Sequence, residues 1–349
     1  MNHLPPTMKA AVTTGNGSLT VWDHIPLPSP GDYQALVRLC YGATCAGTDQ
    51  RIMEGGHPNP LPYPSILGHE SIGQVLTLGK KVTSFAPGDT IARVGAVPVP
   101  DMNLGICWGG FAEYGIATDW QAMNRDGIPQ EEWNRFRVQQ VIPPDIPLTT
   151  APMIITWRET LSYVNRLGVK KGDSVLVLGS GANALAIINH CAYAGAKVFA
   201  TGSKNRLSQL TKAGASIAAD YQNSDIASLF RSFFPDGIHH LIDAIGFSES
   251  LNTALPFLAE DGQVAVYGWH QRSQYGIQPF AAKHSFRVYM GGYDEPETHE
   301  EVIRRIREGV LRAEDWYDTE NPVPLNDIAD AYQNLLSRRA LKYLIQLSD

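Results

Sequence analysis

Between Ser174 and Arg206 the chain reads SVLVLGSGANALAIINHCAYAGAKVFATGSKNR, and this stretch restricts the possible architectures more than any other. Val175 to Leu178 form a continuous apolar run of strand length, the pattern of a strand buried on both faces of a parallel sheet. Gly179, Gly181 and Ala184 follow in the spacing G-x-G-x-x-A. In such a turn the first glycine permits the sharp change of direction and the second lets a pyrophosphate approach the backbone. The small third residue lets the next helix lie close to the strand. That helix, expected over Asn183 to Ala194, would aim its free N–H groups and positive dipole end at the phosphates. A second apolar strand is expected over Lys197 to Thr201. A glycine pattern alone is weak evidence. Set between a buried strand and an apolar helix, it points to a dinucleotide held by the turn Gly179-Ser180-Gly181-Ala182-Asn183-Ala184.

Where an NAD site would offer a carboxylate to the ribose hydroxyls, this chain has Thr201, Gly202, Ser203, Lys204, Asn205 and Arg206. The hydroxyl of Ser203 and the cations Lys204 and Arg206 suit a 2′-phosphate, so NADP(H) is favoured over NAD(H). A solvated basic loop is the other reading of these residues, and it leaves NAD(H) open.

With 349 residues the chain is too long for one small core, and two domains are expected. Apolar residues make up 44% and charged residues 18%, a globular balance, and the net charge of −7 argues against nucleic acid or an anionic membrane as main partner. Cys40, Cys45, Cys107 and Cys191 are scattered without a C-x-x-C pair, which indicates neither a disulfide framework nor a cysteine-rich zinc lobe. No signal-like opening and no apolar run of spanning length is present, so a cytoplasmic location is expected.

Before the glycine turn the pattern is of short strands: Met8–Val12 and Leu19–Trp22 around Gly15-Asn16-Gly17, then Gln34–Leu39, Ile66–Leu78, a strand entered at Ile91 and another entered from Gly109–Tyr114. Short strands split by Gly and Pro suggest a compact β-barrel-like domain. The polar segment 119–137 reads as a surface insertion carrying a helix behind Pro129, and Leu148–Leu167 as one helix or two. After Arg206, strands near 217–219, 240–245, 263–267 and 287–290 alternate with helices near 208–213, 226–233 and 248–258. This alternation is that of a doubly wound parallel sheet. The C-terminal segment reads as helix over 300–309 and 325–337 and strand over 342–346.

Gly47-Thr48-Asp49, Gly68-His69-Glu70 with Gly73, Pro87-Gly88-Asp89, Gly109 to Tyr114 and Lys171-Gly172-Asp173 together resemble the medium-chain dehydrogenase/reductase family, in its zinc-type alcohol and polyol dehydrogenase group. The resemblance covers nearly the whole chain. It implies a GroES-like, β-rich catalytic domain of residues 1–155 and 295–349 and a Rossmann coenzyme domain of residues 156–294. The implied activity is reversible hydride transfer between a small-molecule alcohol and its aldehyde or ketone, at a cleft between the two. It also implies a homo-oligomer, with the strand near Arg287 to Met290 as a possible pairing edge. The structural zinc lobe of many relatives is absent, because only Cys107 lies in that region.

The family's catalytic zinc takes a Cys directly before G-T-D, the His of G-H-E, and a third ligand ahead of the coenzyme domain. Here Ala46 precedes Gly47 and Cys45 lies one place earlier. Counting from the strand Leu36–Leu39 keeps Cys45 as a ligand; counting back from Asp49 removes it. The third position falls near Ile155 or Thr156, neither a zinc donor, and Glu159 would share a helical face with Ile155. The candidate metal set is therefore Cys45, His69 and Glu70, with catalytic zinc left open. In the metal-bound reading Asp49 orients His69 and Thr48 starts a proton relay. In the metal-free reading Thr48 positions the substrate oxygen while His69, Glu70 or Glu159 handles the proton.

His57, Trp108, Trp157, Arg158, Glu159, Trp269 and His270 fall in stretches that border the cleft in relatives, and this mixture of polar and aromatic groups suits a sugar, cyclitol or other polyol. A zinc-free enone or quinone reductase and a non-catalytic nucleotide-binding relative are the alternatives.

Overall fold

The computed structural model describes residues 4–56, 61–271 and 274–348, and divides into two compact units. The first comprises Met1–Ile155 with His299–Asp349, the second Thr156–Thr298. His57 lies outside the described residues. Among those described, no helix is long and apolar enough to cross a membrane.

The first unit opens with the hairpin β1 (Thr7–Thr13) and β2 (Leu19–Pro26), followed by β3 (Gln34–Ala43) and α1 (Ala46–Met53). Next come β4 (Ser65–Ile66) and β5 (Ser71–Leu78), so the apolar run Ile66–Leu78 is broken rather than continuous. The cause is Gly68, whose φ of +100° is left-handed and whose missing side chain makes room for Phe111: a Cβ there would stand 2.6 Å from the ring. His69 and Glu70 thereby sit in a bend between strands.

The unit continues with β6 (Thr90–Ala92), β7 (Gly105–Ile106), β8 (Tyr114–Thr118), α2 (Trp120–Arg125), α3 (Gln130–Trp133) and β9 (Val141–Ile142). Segment 119–137 is more than a surface insertion. Asp119 is fully buried, caps α2 through the Ala122 N–H at 2.9 Å, and accepts the Thr83 and Ser84 N–H groups at 2.8 Å each. Trp120 and Trp133 stack with centroids 5.6 Å apart.

α4 (Met153–Leu167) runs from the first unit into the second. There β10 (Ser174–Leu178), α5 (Ala182–Tyr193), β11 (Lys197–Gly202), α6 (Leu207–Lys212), β12 (Ile217–Asp220), α7 (Ile226–Phe233), β13 (Ile238–Asp243), α8 (Ser248–Ala254), β14 (Leu258–Val266) and β15 (Phe286–Tyr289) alternate. The strands pair in the order β12-β11-β10-β13-β14-β15, every pair parallel. The order reverses beside β10, the point where ligands bind in open parallel sheets. All five residues of β10 are buried, as its unbroken apolar run predicts.

The chain then returns to the first unit with α9 (His299–Arg307), β16 (Val323–Pro324), α10 (Ile328–Leu336) and β17 (Leu344–Gln346). β17 pairs antiparallel with β3, so the C-terminal tail completes the N-terminal sheet β16-β17-β3-β5-β6-β9, with β8 on β3. A smaller sheet, β2-β1-β4-β7, packs its apolar residues into the same core. The chain is thus an α/β protein, a doubly wound parallel sheet with a β-rich partner unit.

Candidate active site

Three elements of the first unit converge on one spot: the start of α1, the bend before β5, and the C-terminal tail. Cys45 precedes α1 in extended backbone (φ −126°, ψ 103°). Asp49, one turn on and fully buried, reaches back so that its Oδ2 accepts the Cys45 N–H at 2.9 Å. Its Oδ1 lies 3.1 Å from His69 Nδ1. With Nδ1 committed to a carboxylate, Nε2 is the nitrogen left to act. Cys45 Sγ, a His69 ring nitrogen and a Glu70 oxygen all lie within 4.8 Å of one another. Thr48 sits half-buried on the same turn of α1.

The donor chemistry fits zinc. Thiolate, imidazole and carboxylate are its usual ligands, and bonds of about 2.0–2.2 Å at tetrahedral angles put nitrogen and oxygen ligands about 3.4 Å apart. His69 Nε2 and Glu70 Oε1 are 3.6 Å apart. Of the two ways to align the loop, the structure adopts the one in which Cys45 faces His69. Glu159 sits on α4, in the second unit.

Burial opposes charge on the His69 imidazole, but the Asp49 carboxylate and Cys45 sulfur overcome it and hold His69 well above its ordinary range. Burial, reinforced by Asp49, pushes the Cys107 thiol up to about 12, so it stays a neutral core residue.

Two residues of this site carry no signature in the sequence. Lys342, buried in the tail, donates to both Glu70 oxygens at 2.6 Å and to the Thr44 carbonyl at 3.0 Å. Burial works against its charge, yet Glu70 holds its ammonium above the ordinary lysine range. Tyr332 on α10 donates its hydroxyl to Asp49 Oδ2. Both lie more than 270 residues along the chain from their partners; a lysine beside an apolar strand was the one available hint. Glu70 is therefore ion-paired with Lys342 inside the first unit.

Trp108 holds a left-handed backbone (φ +64°) and sets its indole 5.3 Å from the His69 ring, 42% exposed. A bulky residue rarely takes this conformation, which marks the position. Trp269 and His270 are also exposed. Trp157 and Arg158 are fully buried, and Arg158 is ion-paired with Glu295 inside the second unit.

In the second unit Gly179 has φ +123°, and a Cβ there would stand 3.0 Å from Ile245 and 3.6 Å from the Ala184 methyl. Gly181 caps α5, and a Cβ there would meet nothing within 4 Å. That open side is where a ligand phosphate can lie. Ala182, Asn183 and Ala184 form the first turn of α5. Ser180 Oγ accepts the Ser203 N–H at 3.2 Å, tying the turn to the loop that carries Lys204 and Arg206. Lys204 is exposed and Arg206 half-buried. The carboxylate of the neighbouring strand end, Asp220, stands opposite Gly202 and accepts the Gln222 N–H.

Residues 31–129 match the family described as alcohol dehydrogenase GroES-like domain, and residues 184–308 that described as zinc-binding dehydrogenase. The chain is similar to the NADP-dependent isopropanol dehydrogenase of Clostridium beijerinckii, 27% identical over 71% of this chain and 73% of that one. To the sorbitol dehydrogenase of Halalkalibacterium halodurans it is 25% identical over 97% and 99% of the two chains. The crystal structure of 2R,3R-butanediol dehydrogenase from Bacillus subtilis is similar in fold, with a TM-score of 0.80 at 19% identity over 97% and 99%.

Proposed function

This chain belongs to the medium-chain dehydrogenase/reductase family, in its zinc-type alcohol and polyol dehydrogenase group, and on that premise we propose that it interconverts a polyol and its ketone or aldehyde with NADP(H). The observation that carries the reading is the convergence of Cys45, His69 and Glu70 beside Thr48, with Asp49 orienting the imidazole. NADP(H) is supported by Ser203, Lys204 and Arg206 after β11 and by the NADP dependence of the Clostridium relative. A polyol is supported by the sorbitol-oxidising relative, which matches over nearly its whole length.

Cys45, His69 and Glu70 would hold a zinc ion, which when bound lowers the pKa of an alcohol hydroxyl. Oxidation removes two hydrogens from the alcohol. The carbon-bound one leaves with its electron pair for C4 of the nicotinamide, and the oxygen-bound one leaves as a proton. Thr48 takes the hydroxyl proton into a relay toward solvent. Asp49 keeps the His69 tautomer fixed, and Lys342 compensates the buried Glu70 charge. The turn Gly179–Ala184 holds the pyrophosphate so that the dinucleotide is fixed before substrate arrives.

A second reading has a specific observation behind it. Lys342 takes both Glu70 oxygens, which leaves Cys45 and His69 as the uncommitted donors and suits a metal-free double-bond reductase. NADP+ reduction over a panel of polyols, with metal content measured before and after a chelator, separates the two. The proposal expects NADPH from at least one polyol, lost on chelation and restored by zinc. Turnover of enones alone, with no zinc in the purified protein, would select the second reading.

A further inference from the structure

Tyr332 brings a hydroxyl into a place where packing asks only for a ring. The buried face of α10 is Ile328, Ala331, Tyr332 and Leu335, a stripe at helical spacing that sets the helix into the apolar core of the first unit. A phenylalanine at 332 would complete that stripe. The hydroxyl adds a polar atom in a buried position, which is unfavourable unless a partner stands there to receive it. That partner is Asp49.

The two donors on Asp49 Oδ2 come from distant parts of the chain. The Cys45 N–H reaches it at 2.9 Å from the start of α1, and the Tyr332 hydroxyl reaches it from α10, which packs on α1. Held by both, the carboxylate cannot turn about its Cβ–Cγ bond without breaking a hydrogen bond. Its Oδ1 therefore stays 3.1 Å from His69 Nδ1. Burial, with Asp49 beside it, holds the phenol well above its ordinary range, so the hydroxyl keeps the proton it donates.

The ring of Tyr332 bears on the same place. It meets Phe111 edge-on with centroids 6.3 Å apart, and Phe111 fills the room that Gly68 leaves just before His69. One side chain of α10 thus touches both supports of the imidazole, the carboxylate that faces it and the phenyl group packed against the preceding glycine.

We propose that Tyr332 is a positioning residue of the reaction: its hydroxyl locks the Asp49 carboxylate, and through it the His69 imidazole, in the orientation that a metal ion at Cys45, His69 and Glu70 needs. This rests on the reading of those three residues as the metal-binding centre.

The test compares the full chain with Tyr332→Phe, which keeps the ring and removes the hydroxyl, by ¹H–¹⁵N NMR of the zinc-free protein. In the parent the His69 Nδ1 proton should give a signal that exchanges slowly with water, assigned by its loss in His69→Gln. Losing one hydrogen bond to a carboxylate changes an opening equilibrium by about tenfold, so this proton should exchange faster by that factor in Tyr332→Phe. Zinc affinity, read by competition with a chromophoric chelator, and kcat for polyol oxidation should each fall about tenfold, with KM for NADP+ unchanged. Tyr317→Phe is the control. It removes another buried hydroxyl of the first unit, which donates to the Thr149 carbonyl at 2.8 Å, and should leave the Nδ1 proton as it was. Faster exchange in Tyr332→Phe, in a protein that oxidises no alcohol, keeps the lock on His69 and removes the hydride-transfer reading. An unprotected Nδ1 proton in the parent, or equal exchange in the parent and Tyr332→Phe, overturns the proposal.

Discussion

Asp49 carries more of the site than any other single residue. Its carboxylate faces the His69 ring nitrogen and accepts the Cys45 N–H and the Tyr332 hydroxyl. Asp49→Asn turns an amide N–H₂ toward groups that are themselves donors, so at least one contact is lost. Replacing a carboxylate behind a ligating histidine typically costs about ten- to a hundredfold in activity or metal affinity. Asp49→Asn should lower kcat/KM by that factor and reduce zinc content, with substrate-free dinucleotide affinity unchanged. Steady-state kinetics with elemental analysis checks it. Asp49 and His69 were legible in the sequence because each lies in a compact motif. Lys342 and Tyr332 were not, because the contact that gives each its role comes from a tail returning across more than 270 residues.

At the scale of elements, the glycine turn and the cap of α2 make opposite predictions. Gly181 has φ −82°, which alanine accepts, and a Cβ there meets no protein atom. Gly181→Ala should change unfolding stability by under about 1 kcal/mol. The methyl would occupy the space a pyrophosphate needs, so the dissociation constant for the dinucleotide should rise tenfold or more in a fluorescence titration.

Asp119 is the reverse, a structural residue far from the chemistry. Burial raises its pKa, but the N–H groups of Thr83, Ala122 and Ser84 outweigh this and hold it below the ordinary value. A depressed folded pKa means the contribution is complete above the unfolded value of about 3.9 and fades as pH falls through the folded one. Asp119→Ala should cost about 2 kcal/mol near neutral pH, and the gap from the parent should narrow as pH falls below the unfolded value in denaturant melts. The helix behind Pro129 was visible in its acidic first turn, whereas the anchoring of 119–137 depends on a contact with residues 83 and 84. The central strand β10, by contrast, was readable directly, because burial on both faces leaves a continuous apolar run.

Across the whole molecule, β15 is an outer strand of the six-stranded sheet, paired on one side with β14. Val288 on it is 43% exposed and Met290 just beyond it 84%. An open, apolar strand edge favours pairing with a second copy. We expect a dimer built through β15, which Val288→Asp should convert to monomer in sedimentation velocity while the thermal midpoint of the second unit holds. The central claim, however, is a reaction: hydride leaving an alcohol carbon for a nicotinamide. The direct measurement is isotope transfer, with a polyol deuterated at its carbinol carbons incubated with the protein and NADP+ and the reduced cofactor examined by NMR. One deuterium at C4 of the dihydronicotinamide is expected per ketone or aldehyde formed, on a single face of the ring. Reduced cofactor without label, or no reduced cofactor from any hydroxyl compound, would contradict it.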